Sequence, residues 1–129
     1  MFAIYDYSNF PNIVLELSGS LITDNDFHSL IDPWIELYDK QIEFTFEIHT
    51  KNINGYINPK YCLSMAFFIK KLKKRDKQYL KDTIIYVNNK YLKQLLLFIF
   101  YIEKPVSKID IQYYNFISPG AGSSFAVGK

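Results

Sequence analysis

Apolar and polar residues alternate in two clear rhythms along this chain. In "IEFTFEIHT", residues 42–50, Ile42, Phe44, Phe46 and Ile48 alternate with Glu43, Thr45, Glu47 and His49. A period of two with one apolar side predicts a strand that buries one face. Upstream, "FAIYDYSNFPNIVLELSG" predicts two strands parted by an Asn9-Phe10-Pro11-Asn12 turn, with Gly19 as the stop. Between them, "SLITDNDFHSLIDPWIELYDK" predicts a helix capped by Thr23 or Asp24, with acidic residues in its first turn. Pro33 either kinks this helix or, with Asp32 as a fresh cap, opens a second segment.

"KNINGYIN" is polar and carries the Asn54-Gly55 turn pair, so a loop is expected there. Asn58 as N-cap and Pro59 at the first helical position then start a second helix reaching about Arg75. "DTIIYVNN" predicts a short strand, "NKYLKQLLLFIFYI" a third helix, and "KPVSKIDIQYY" a closing strand in which Pro105 favours the first position or a sheet edge. The fold class expected is α/β: one mixed sheet with helices packed on it, in the order β-β-α-β-α-β-α-β. Residues 1–115 make that domain, and the Gly/Ser-rich 116–129 read as a flexible arm.

Composition changes this picture little. A chain of 129 residues with 49% hydrophobic content can build one core, and a formal charge of +2 argues against wholesale nucleic-acid or membrane-surface binding. The single cysteine, Cys62, and an N-terminus without a basic flank before an apolar run point to a reducing, cytoplasmic setting. The longest apolar run, "LLLFIFYI" at 95–102, is far below the roughly 20 residues of a membrane span.

The candidate chemistry is sparse. His28, His49 and Cys62 are the only soft ligands, none at a metal spacing, so no metal and no cofactor are expected. A Cys62–His49 nucleophile pair would flank one loop, yet Cys62 falls on the apolar stripe of its helix, which favours an inert thiol. Asp24 with Asp26, and Glu43 with Glu47, sit where capping and strand solubility already account for them. In the tail, "GSSFAVGK" spaces Gly122 and Gly128 by five residues where a phosphate loop needs four, so it is not expected to bind phosphate. The run "KKLKKRDKQYLKD", 70–82, is a local basic patch, part of which complements the end of the second helix. No catalytic residue is assigned, and the chain is expected not to be an enzyme.

What the helical wheels leave over is more informative. Cys62, Met65, Ala66, Ile69 and Leu72 form the inner stripe of the second helix, with Tyr61 and Phe68 beside it, which leaves Leu63 and Phe67 outward among Lys70 and Lys74. The third helix is apolar nearly all round, and Leu97, Phe100 and Tyr101 are candidates for a contact with a partner or a second copy.

"VLELSGSL" entering a helix, and "FTFEIHTKNI" followed after a loop by another helix, resemble the STAS fold of anti-sigma-factor antagonists. Ser18, Gly19, Asn25, Phe27, Pro33, Trp34 and Tyr38 are similar to a STAS-like group of regulatory phosphoproteins, although Pro and Trp stand in a different order. The resemblance covers about residues 10–112 and implies a regulatory module acting through protein–protein contact. It also implies a phosphorylatable Ser or Thr before the second helix, where "GYINPKY" offers only tyrosine hydroxyls. Two further readings stand beside this one. The chain is a structural subunit of a larger assembly whose tail orders on docking, or it binds a nucleotide or lipid head group at the loop before Asn58.

Overall fold

The computed structural model describes residues 1–114, and the 116–129 arm and its "GSSFAVGK" segment lie outside them. Five strands and three helices follow one another as β1 (Ala3–Asp6), β2 (Asn12–Leu21), α1 (Asp24–Asp39), β3 (Phe44–Ile57), α2 (Pro59–Lys73), β4 (Leu80–Val87), α3 (Lys90–Ile102) and β5 (Lys108–Tyr113). The fold is α/β with a mixed sheet. Its strand order is β1-β2-β3-β4-β5, with β1 antiparallel to β2 and every other pair parallel.

Chain order and sheet order coincide. Each parallel connection crosses over with the same hand, so a sheet that grows in one direction receives all its helices on one face. The register shows the result. Tyr5, Leu15, Ile48, Ile85 and Ile111 line up across all five strands on the helix-covered face. One residue along, Ile4, Glu16, His49, Tyr86 and Gln112 line up on the other face, which no element covers among the described residues. Parallel strands usually run apolar on both faces because helices lie on both. The alternation in β3 is therefore the signature of this one-sided packing.

α1 is a single helix through Pro33, so no second segment begins at Asp32. Its start is a capping box: Thr23 Oγ1 accepts from Asp26 N at 3.1 Å, and Asp26 Oδ2 accepts from Ile22 N and Thr23 N, each at 3.1 Å. Gln41, left-handed at φ 59°, turns the chain away after the cap residue Lys40. The bonds to Asp26, that from Ile22 N foremost, hold its carboxyl below the ordinary carboxylate value. A depressed carboxyl stabilises the fold above its unfolded value of about 3.9, and that contribution is lost as pH falls through the lower folded value. In thermal melts from pH 7 down to pH 2, Asp26→Asn should therefore melt below the parent at neutral pH and converge with it in acid. A gap that stays constant with pH would contradict the cap's ionic part.

Two expectations fail in the β2–β3 region. β2 passes through Gly19 to Leu21, because Gly19 takes φ 75° at a register shift and bends the strand without ending it. Residues 51–57 are not a loop either. β3 leaves β4 after the His49–Tyr86 pair and continues beside β2 alone, through Ser18–Asn52, Gly19–Ile53 and Leu21–Ile57. Gly55 is needed there for close approach, since a Cβ on it would lie 1.8 Å from Ser20 Oγ.

The core is aromatic at its centre. Trp34 stands edge-on to Phe46 and Phe68, both at 5.0 Å between centroids, and Phe46 also meets Phe44 at 5.1 Å. Tyr38 donates to Gln78 Oε1 at 2.8 Å, and Gln78 Nε2 donates to Leu72 O at 2.7 Å, which ties α1 to the end of α2.

Candidate interaction surface

α2 starts where its sequence predicts. Asn58 is extended and Pro59 occupies the first turn, where a missing N–H costs nothing. Every donor at this end is already taken or absent. Asn58 N donates to Leu21 O at 2.9 Å, Pro59 has none, Lys60 N donates to Asn58 Oδ1 at 3.0 Å and Tyr61 N to Asn58 O at 2.9 Å. Asn58 thus acts as a cap, and the helix end offers an anion no free amide.

The inner stripe of α2 buries Tyr61, Cys62, Ala66, Phe68, Ile69 and Leu72. Leu63 and Phe67 remain outside, 46% and 65% exposed, with Lys70 and Lys74 exposed further along the helix. α3 packs beside α2, and Lys73 Nζ meets Glu103 Oε2 at 2.5 Å near the C-terminal ends of both. In α3 only Leu92 and Ile99 are fully buried, while Leu97 and Tyr101 are exposed, Tyr101 at 89%.

Phe100 goes the other way: it is half-buried and lines the interior beneath α3. Phe98 and Ile102, which the sequence did not single out, are exposed instead. An almost uniformly apolar helix gives a wheel no polar arc by which to orient it, so these positions could not be ranked from sequence.

The basic run is partly neutralised. Lys73 pairs with Glu103, Arg75 Nη1 with Asp39 Oδ1 at 2.9 Å and Lys81 Nζ with Glu43 Oε2 at 3.3 Å. Lys70, Lys71, Lys74 and Lys77 are exposed and form no ion pair among the described residues.

On the uncovered sheet face, His49 Nε2 lies 2.7 Å from Glu47 Oε2 and its Nδ1 3.0 Å from Tyr114 Oη. Its ring stacks on Tyr86 at 5.0 Å, and Tyr86 stacks on Tyr114 at 5.6 Å. Asn52 Nδ2 donates to Glu16 Oε2 nearby at 2.9 Å. Cys62 is on the far side of the sheet in α2, where burial pushes its thiol up. The sheet therefore separates His49 from Cys62, and the two form no nucleophile pair.

Asp24 and His28 are also occupied. Asp24 Oδ1 accepts from Tyr61 Oη at 2.8 Å, and His28 Nδ1 lies 3.0 Å from Asp32 Oδ1 on the surface of α1. Among the described residues no three His, Cys, Asp or Glu side chains gather as a metal site would require, and no helix is long and apolar enough to cross a membrane. Thr50 is 3% exposed, with its hydroxyl donated to Tyr86 O at 2.7 Å, and Ser64 Oγ donates to Lys60 O at 3.1 Å inside α2. Neither is a free hydroxyl ahead of α2. No family model, no curated protein and no solved structure matches this chain.

Proposed function

We propose that this chain is a non-enzymatic interaction domain that binds another protein through the outer face of α2 and α3. The observation that carries this reading is the pair Phe67 and Tyr101, large rings 65% and 89% exposed on neighbouring helices, with Leu63, Leu97 and Phe98 also exposed. Large apolar residues exposed on packed neighbouring helices mark contact sites, and aromatic anchors buried on binding supply most of the energy in such contacts. Lys70 and Lys74 select a partner whose apolar patch has an acidic rim, through encounter rate more than affinity.

The regulatory role implied by the STAS resemblance rests, on this proposal, on occupancy of that face. It does not rest on a phosphorylated hydroxyl before α2, because residues 54–58 contain no Ser or Thr and Thr50 is buried. Binding of a phosphorylated ligand at Asn58 is the weaker reading, since the amides there are already bonded.

The test is the double variant Leu63→Asp with Phe67→Asp, used as bait against extract of the source cell beside the parent chain. Specific partner recovery should fall about tenfold or more, the effect of losing roughly 1.4 kcal/mol of binding energy. The fold should survive, as exposed substitutions usually shift stability by no more than about 0.5 kcal/mol. Undiminished recovery with a folded variant would refute the assigned face. Light scattering on the isolated chain separates the assembly reading: a self-associating parent whose oligomer is dissolved by Leu97→Asp with Tyr101→Asp identifies the partner as a second copy.

A further inference from the structure

The helical layer does not close fully onto the sheet. A cavity of about 140 Å³ lies between them, lined from α2 by Met65 and Ile69, from α3 by Leu95 and Leu96, and from the sheet by Ile85 and Ile109. α3 spans it loosely, with only Leu92 and Ile99 fully buried.

The hydroxyls of the lining residues are already bonded. Thr50 Oγ1 donates to Tyr86 O at 2.7 Å, Thr83 Oγ1 lies 2.9 Å from Ser107 Oγ, and Tyr61 Oη donates to Asp24 Oδ1 at 2.8 Å. Trp34, also in the lining, keeps its Nε1–H buried without an acceptor, its indole set edge-on to Phe46 and Phe68. A buried water needs two to four polar partners, and none of these groups leaves room for that many. The lining thus offers water few bonding partners. An apolar cavity of about 150 Å³ lined by Leu, Ile and Phe stays dry and takes up benzene or xenon.

We infer that this cavity is a binding site for a small hydrocarbon group, either an aromatic ring or the end of an aliphatic chain. Such a ligand meets the apolar lining of both layers and brings no polar atom into it, provided that its own polar end, if it has one, stays outside. The site is distinct from the outer face of α2 and α3, although α3 contributes to both: Leu95, Leu96 and Phe100 inward, Leu97 and Tyr101 outward.

The test uses the full chain with methyl-labelled Ile, Leu and Met. Benzene, xenon under pressure and octanoate are titrated separately while methyl shifts and the melting midpoint are followed. The inference expects saturable shifts at the methyls of Met65, Ile69, Leu95, Leu96, Ile85 and Ile109 and a rise in the midpoint of a few degrees. Response to benzene and xenon alone assigns a ring-sized ligand, and response to octanoate as well assigns a chain end.

Leu96→Trp and, separately, Met65→Trp place an indole in the space and should abolish the response while melting no lower than the parent. No saturable methyl shifts with any of the three probes would overturn the inference, as would an undiminished response in a folded, filled variant. Should both variants fail to fold, the methyl map of the parent decides, since a response scattered over the surface is equally fatal.

Discussion

Phe46→Ala should lower stability by about 3–5 kcal/mol, the cost of emptying a buried phenyl site that its surroundings cannot refill. Phe46 is 2% exposed and faces Trp34, Phe44 and Tyr5 edge-on, so its removal strips contacts from three rings at once. The Trp34 ring would border the void. Against a net stability of about 5–15 kcal/mol this is a large fraction of the whole, and the melting midpoint should fall by roughly 10–20 °C. Lys108→Ala, at an exposed position on β5, is the control and should stay within about 0.5 kcal/mol of the parent. If thermal or urea unfolding shows Phe46→Ala within a degree or two of the parent, the aromatic centre is misplaced.

The second large effect is expected at Gly55, from crowding and not from a cavity. Its φ is not positive, so an added side chain would be permitted by the backbone and refused by the neighbouring strand. A Cβ there would come within 1.8 Å of Ser20 Oγ and 3.0 Å of Ser20 Cβ. The hydroxyl can rotate away, but the Cβ moves only if β2 moves. Gly55→Ala should therefore cost about 1–3 kcal/mol, in the range of overpacked sites. Ser20→Gly should recover part of that loss when combined with it, even though glycine in a strand carries its own penalty of about 0.5–1 kcal/mol. A double-mutant cycle with purely additive effects would mean that the two strands are not in contact at this point.

Much of the architecture was legible because local and global signals agree. The alternation of Phe44, Phe46 and Ile48 with Thr45, Glu47 and His49 shows a sheet with one covered face, and the Asn58-Pro59 and Thr23 caps lie where their chemistry places them. The misreadings cluster at glycine. Asn54-Gly55 has the composition of a turn, but the glycine is required by a strand 30 or more residues earlier, and nothing in the local sequence carries that information. Gly19 likewise resembles a terminator while serving as a bend within β2.

Of the candidate surface, Leu63 and Phe67 could be placed because α2 has a polar arc to orient it. The interior orientation of Phe100 and the outward one of Phe98 could not, because α3 has almost none. The cavity was beyond reach of the sequence altogether. Its existence depends on how closely α3 approaches the sheet, a distance that no pattern of residue types encodes.

The coincidence of strand order with chain order also bears on how the molecule forms. Each new strand has only to find the one made just before it: β2 reaches β1 through a short turn, and each parallel closure spans a single intervening helix and its connections. Loop-closure entropy grows only slowly with length, but folding rates fall steeply as contacts become remote in sequence, and here no pairing skips over an intervening strand. During synthesis, β1, β2 and α1 can already pair and pack while α3 and β5 are still in the ribosome, with assembly advancing from the N-terminal edge.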